Sequence, residues 1–395
     1  MKILIVCQFY YPENFVITNI AERLASYGHQ VSVLTGRPNY GYGHILEEYK
    51  HVKHEIINNV NVERVHLFAR RKSKFSIICN YLSFYFSSRK WVRKTKEKFD
   101  IVYSFSLSPV TILSAGNLYK KKHNVPHIVH CVDLWPESVV STGAVKKKSL
   151  MYKILFKWSK DLYKGADEIL IGSPSFKEYF YNVLKIDNIK LTYIPQCSLI
   201  TKCDEEPFKY DKDYFNILYC GNLGYLQNSH LISESMSNVN TKVKFHIIGM
   251  GPCSNKLIND INKNNLKDKV IYYGPMNAKK ASSYFVNADA FYISLSDSPY
   301  VGQSIPNKIM MYMAFGKPIL GVISGDGKQV LEAAKGSIIV EENVTKIAQN
   351  IEKLSKLNKD QREEMGQNNY KYYYENFDEN VISKKIEKIL FSHKA

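Results

Sequence analysis

The opening 36 residues restrict the fold more than any other stretch. Residues 2–7, KILIVC, are an unbroken apolar run of strand length, the kind buried on both faces of a parallel sheet. A loop with aromatic and turn residues follows at 8–14. A helix over 19–27 then carries Ile20 and Leu24 on one side and stops at Gly28. Residues 30–35, QVSVLT, are the next strand. Together they make a βαβ unit, which predicts an α/β domain with a parallel sheet. In such sheets ligands gather beyond the C-terminal strand ends, so the loop holding Pro12 and Glu13 faces a site. No G-x-G-x-x-G follows the first strand, which argues against a nicotinamide or flavin enzyme.

Strand-like runs recur at 61–68, 100–105, 127–132, 168–171 and 191–195. A charged, proline-containing linker at 201–213 separates them from a second series at 215–220, 244–248, 270–273, 288–295, 319–322 and 337–340. Helical patterns at 343–357, 361–374 and 377–391 close the chain. A length of 395 residues accommodates two domains, and 45% hydrophobic content is enough to fill two cores.

The formal net charge of +17 calls for an anionic partner. No nucleic-acid-binding signature is present, and nucleic acid is not the expected partner. Two segments instead mix cations with aromatic and aliphatic residues. Residues 70–98 hold FSIICNYLSFYF between basic flanks, and 146–164 read KKKSLMYKILFKWSKDLYK. Cations at headgroup level over apolar side chains suit an anionic membrane surface. No run of 18 apolar residues appears, and residues 1–7 are too short for a secretory core. The seven cysteines include no C-x-x-C pair, which favours a reducing, cytoplasmic setting.

Three stretches carry chemistry. At 304–321, SIPNKIMMYMAFGKPILG, Pro306 and Asn307 start a short helix that Gly316 ends, and a strand follows. Lys308 at that helix start makes an anion site from free N–H groups, helix dipole and ammonium. At 133–138, DLWPES places Asp133 and Glu137 just past a strand end, where α/β folds put their chemistry. At 221–228, GNLGYLQN is a glycine-rich turn of the kind that cradles phosphate.

Taken together, P-N-K…Y-M-A-x-G-K-P, D-L-W-P-E-S and the glycine turns resemble retaining family-4 glycosyltransferases of the GT-B fold. The subgroup resembled is that of bacterial sugar transferases of O-antigen, capsule and colanic-acid assembly. The resemblance covers nearly the whole chain. It implies two Rossmann-like domains facing a cleft: an acceptor domain at 1–200, the linker at 201–213, a nucleotide-sugar domain at 214–375, and a helix at 376–395 returning to the first domain. It implies Asp133 and Lys308 as catalytic residues. Gly221, Asn222, Gln227, Gly249, Met276, Gln303, Asn307 and Lys308 would bind the donor, with Pro12, Glu13 and Glu137 on the acceptor side. No cofactor and no metal are expected. The implied partners are a UDP-linked sugar, a polyprenyl-diphosphate-linked glycan and the inner face of a bacterial membrane. The chain departs from the family pattern in places. Val132 stands where many relatives carry a histidine, with His130 two residues earlier. Asn222 and Gln227 replace an Arg and a Lys, and Gln303 and Met311 occupy the places of two glutamates. These departures keep open a non-catalytic sugar-nucleotide-binding protein, and the same fold also serves UDP-N-acetylglucosamine epimerases.

Overall fold

The computed structural model describes residues 1–395 except Lys72, Thr142, Thr201 and Ala395. It divides into two compact units: Met1–Gln196 with Glu379–Ala395, and Cys197–Asp378.

The first unit is built on an eight-stranded sheet. Its strands are β1 (Lys2–Val6), β2 (Gln30–Gly36), β3 (His54–Ile57), β4 (Val60–Val65), β5 (Ile101–Ser106), β6 (His127–Cys131), β7 (Glu168–Ile171) and β8 (Lys190–Tyr193). Their order is β3-β4-β2-β1-β5-β6-β7-β8. Every pairing is parallel except β3 with β4. The exception corrects the sequence reading, which begins a strand at 61 and misses β3. Asn58 and Asn59, both at positive φ, close a two-residue hairpin between Ile57 and Val60. The segment His54–Ile57 has no continuous apolar run because it is an edge strand with alternating exposure.

The helix Val16–Ser26 packs against the terminal helix Glu379–Ser392. Glu379 accepts hydrogen bonds from Asn19 Nδ2 at 2.8 Å and from Arg23. His29 bonds Glu387 at 2.8 Å, and His393 bonds Glu168 at 2.6 Å. The last helix therefore belongs to the first unit, as anticipated from the resemblance.

The second unit has a six-stranded, wholly parallel sheet of β9 (Phe215–Cys220), β10 (Val243–Ile248), β11 (Val270–Gly274), β12 (Ala290–Ser294), β13 (Ile319–Val322) and β14 (Ser337–Ile339). The order β11-β10-β9-β12-β13-β14 is the doubly wound 3-2-1-4-5-6 arrangement. Central β9 is buried at every residue, which explains its run FNILYC. Truncating fully buried Ile217 or Leu218 to alanine costs about 2–5 kcal/mol. Part of the 201–213 segment is packed onto this unit rather than free. Phe208 stacks on Tyr284 at 4.1 Å, and Tyr210 Oη donates to the Tyr284 carbonyl at 2.8 Å.

In each sheet the order reverses at one place, between β1 and β5 in the first and between β9 and β12 in the second. In doubly wound sheets ligands bind at such switch points, beyond the C-terminal strand ends.

Candidate active site

In the second unit the switch point is built around Lys308. The helix Asn307–Ala314 has Pro306 at its N-cap in an extended conformation, so the chain turns into the helix directly after it. Lys308 in its first turn reaches back to β9. Its Nζ donates to Tyr219 Oη at 2.5 Å, and Tyr219 Oη donates to the Asn222 carbonyl at 2.5 Å. The ammonium thus joins a short chain of hydrogen bonds ending in the glycine turn. Gly221 lets the side chain lie there: its φ is +147°, and a Cβ would stand 2.3 Å from Lys308 Cε. Gly249, at φ +138°, is equally constrained, since a Cβ would meet the Gly221 carbonyl at 1.9 Å. Among the described residues no carboxylate pairs with Lys308. Burial without a counter-charge lowers its pKa to about 7.

The other donor candidates sit on the same rim with different occupations. Gln227 Oε1 accepts from Gly224 N at 3.0 Å, so this oxygen caps its own turn. The Asn222 amide lies between Gly224 and Gly251. Asn307 Nδ2 donates to the Cys197 carbonyl at 3.0 Å. Gln303 stands against Gly325, and its carbonyl accepts from Asp326 N at 2.9 Å. Met276 packs at the edge of the hydrophobic core, and Met311 is inside it. The fold therefore brings Gly221, Asn222, Gly249 and Lys308 into contact, with Gln227, Gln303, Asn307 and Met276 around them.

In the first unit the rim carries carboxyls instead. Glu13, after β1, is buried, and its Oε1 accepts from the backbone N–H groups of Asn39, at 2.6 Å, and Tyr40. It holds the loop after β2 in place. Burial raises its pKa to about 7, against the opposing pull of those backbone bonds and of Arg64. Asp133, past the end of β6, is also raised by burial, with a Ser108 backbone hydrogen bond opposing. Beside it, Trp135 Nε1 and Ser138 Oγ are buried without a hydrogen-bond partner among the described residues. Glu137 is buried too. Its Oε1 accepts from Tyr152 Oη at 2.6 Å and Tyr179 Oη at 3.4 Å, and Lys147 lies 3.6 Å from Oε2. That carboxylate ties down the helix Leu150–Tyr163. Pro12 sits between exposed Tyr11 and buried Glu13.

His130 is a core residue. Its Nε2 donates to the Ile194 carbonyl at 2.9 Å, and its Nδ1 accepts from Tyr103 Oη at 2.7 Å. Burial lowers its pKa to about 4, so the ring is neutral. Sequence reasoning missed Tyr219 and Tyr312. Tyr312 Oη accepts from Cys220 N at 2.9 Å, locking the Lys308 helix to β9. Tyr312 was visible within the Y-M-A signature. Tyr219 had no signal beyond its place two residues before Gly221.

The two halves of the chain match two family models in order. Residues 14–197 match Glycosyltransferase Family 4, and residues 203–372 match Glycosyl transferases group 1. The solved structure of Anabaena Alr3699/HepE in complex with UDP-glucose superposes with a TM-score of 0.69 at 14% identity, covering 99% of this chain and 100% of that one. The chain thus carries, in order, a region similar to each of these two glycosyltransferase families, on a fold of the two-domain GT-B type. Among curated proteins it is 25% identical over 240 residues to the probable glycosyltransferase WbjE of Pseudomonas aeruginosa, 57% of each chain. It is 28% identical over 211 residues to a 41.2 kDa protein in the cps region of Klebsiella pneumoniae, 49% of this chain and 52% of that one. The chain therefore matches only about half the length of these curated relatives.

Proposed function

We propose that this protein is a retaining glycosyltransferase that moves a sugar from a UDP-sugar to a lipid-linked glycan during assembly of a bacterial surface polysaccharide. The observation that carries the reading is the unpaired Lys308 ammonium held against the Gly221 turn at a sheet switch point. A group in that state gains most from a diphosphate, whose negative charge grows as the sugar leaves. The UDP-glucose bound to the similar HepE structure supports the donor class. The cps-region relative supports a polysaccharide role.

On the acceptor side Asp133 orients the attacking hydroxyl, with the unpartnered Trp135 Nε1 and Ser138 Oγ beside it as further hydrogen-bonding groups. The reaction needs no metal in this scheme, because Lys308 and the turn carry the leaving-group charge. The anionic inner face of the membrane is the proposed workplace. Among the described residues no helix is long and apolar enough to cross a membrane. The helix Lys74–Lys94 exposes Phe75, Ile78, Leu82 and Phe86 on one stripe. The helix Leu150–Tyr163 exposes Leu150, Met151 and Ile154, and the two helices meet where Tyr85 packs edge-on to Trp158 at 5.5 Å. Apolar stripes on basic helices suit peripheral insertion at headgroup depth.

A thermal-shift panel of nucleotides and UDP-sugars tests the donor class. UDP and one UDP-sugar are expected to raise Tm, since a ligand specific for the folded state stabilises by mass action. No shift with any nucleotide would move the non-catalytic or a different function ahead. Asp133→Asn is expected to bind UDP normally and to lose donor turnover by roughly a hundredfold or more.

A further inference from the structure

A groove of about 980 Å³ runs between the helix Lys74–Lys94 and β4, within the first unit. Six cations and two carboxylates line it. Of the carboxylates, Glu63 is already engaged, accepting from Trp91 Nε1 at 3.2 Å and bonding His54 at 2.8 Å. Among the described residues none of Arg37, Lys53, Lys90 and Lys94 pairs with a carboxylate. Arg37 Nε is buried with no hydrogen-bond partner. An orphaned guanidinium nitrogen beside unpaired ammonium groups is a site short of an anion.

The walls are not polar throughout. Phe86 and Trp91 line the same groove, and Phe86 is also the last member of the exposed apolar stripe that starts at Phe75. A hydrocarbon lying on the stripe therefore leads directly to the cations. Arg37 directly follows β2 at the C-terminal rim of the sheet. Its loop is fixed there by Glu13, which takes the Asn39 N–H, and by Asn39 Oδ1, which accepts from Asn80 Nδ2 at 3.1 Å in the middle of the helix. One end of the groove is thus anchored to the rim that carries Glu13.

We propose that this groove binds the diphosphate of a lipid-diphosphate-linked acceptor, with the start of its hydrocarbon against Phe86 and Trp91. The inference rests on the glycosyltransferase reading and assigns the part of the acceptor that does not react. Calorimetric titration with farnesyl diphosphate, a soluble lipid diphosphate, tests it on the full chain. Wild-type protein binds it saturably. Arg37→Gln/Lys90→Gln and, separately, Lys90→Gln/Lys94→Gln weaken it by roughly tenfold or more, as expected when charge-assisted contacts are lost. Inorganic pyrophosphate binds more weakly than farnesyl diphosphate because it cannot use the apolar wall. Unchanged affinity in both variants, or no binding by wild type, overturns the proposal. So does equal affinity for dihexanoyl phosphatidylglycerol, which would make the groove a general phospholipid site. UDP stabilisation measured on the same preparations separates the two readings. Its retention in the variants localises the loss to the groove. Its absence from wild type counts against the transferase reading, while groove-dependent binding of farnesyl diphosphate would still stand.

Discussion

The two sheets share a winding scheme and place their candidate groups at equivalent switch points, yet burial acts on opposite charges. At the rim of the second unit a desolvated lysine is pushed down to about 7. At the rim of the first, burial pushes Glu13 up to about 7 and also raises Asp133. Desolvation favours the neutral form of either sign, so the same strand-end geometry lowers the pKa of a lysine in one unit and raises those of carboxyls in the other. Local hydrogen bonds do not cause the shifts, and at Glu13 they oppose it. Lys308 has one hydroxyl acceptor and a glycine gap beside it. Glu13 has backbone N–H donors that hold a loop.

The largest expected effect breaks the comparison at its cation. Lys308→Ala should lower turnover by roughly a hundred- to a thousandfold, the scale of losing one charge-stabilising group. It should abolish the UDP-induced rise in Tm while leaving the ligand-free Tm unchanged or higher, because an unpaired desolvated charge is removed. A fully retained UDP response in this variant would sink the assigned role.

Gly221→Ala comes next. The added methyl meets Lys308 Cε and adopts a φ that side chains avoid, so stability should fall by about 1–3 kcal/mol. UDP binding should fall with it. Denaturant unfolding and calorimetry on the same sample separate the two effects.

Tyr219→Phe sharpens the comparison, since it removes the acceptor of Lys308 and keeps the ring. UDP affinity should drop roughly tenfold, the scale of one hydrogen bond to a charged group. The pH profile should move as well. In wild type the free ammonium titrates near 7, and a bound diphosphate raises that value. Affinity is therefore greatest below pH 7 and falls as pH rises beyond it, with proton uptake on binding. A displaced midpoint in Tyr219→Phe would show that the hydroxyl positions the ammonium rather than merely filling space.

The smallest effect concerns Glu13. Its carboxyl titrates near 4.5 when unfolded and near 7 when folded. Its contribution to stability is thus complete below 4.5 and is lost as pH rises through 7. Glu13→Gln keeps an acceptor for the Asn39 and Tyr40 N–H groups and cannot ionise. The fall in Tm between pH 5 and pH 8 should shrink by roughly 3 °C. An equal fall in both proteins would mean that the carboxyl is solvated.

Much of this was legible in the chain itself. The apolar runs of β1, β5, β6, β9 and β12 had to become buried parallel strands, because both their faces are covered and only continuous hydrophobicity satisfies that. The helix start at Pro306 and the glycine turn at Gly221 were local signals too, since fixed or permissive backbone conformation is written in one residue type. What the sequence could not determine depends on neighbours distant along the chain. Tyr219 meets Lys308 across 89 residues, and Arg37 joins Lys90 only because β4 and the helix Lys74–Lys94 pack side by side. The edge strand β3 takes its conformation from β4, and His130 is neutral because the tertiary structure buries it, against the pull of its hydrogen bond to the Ile194 carbonyl. Backbone propensity and hydrophobic pattern are local properties and can be read along the chain. Desolvation and hydrogen-bond partnership exist only once the tertiary structure has excluded water, so it alone set the charge state of each group at the two rims.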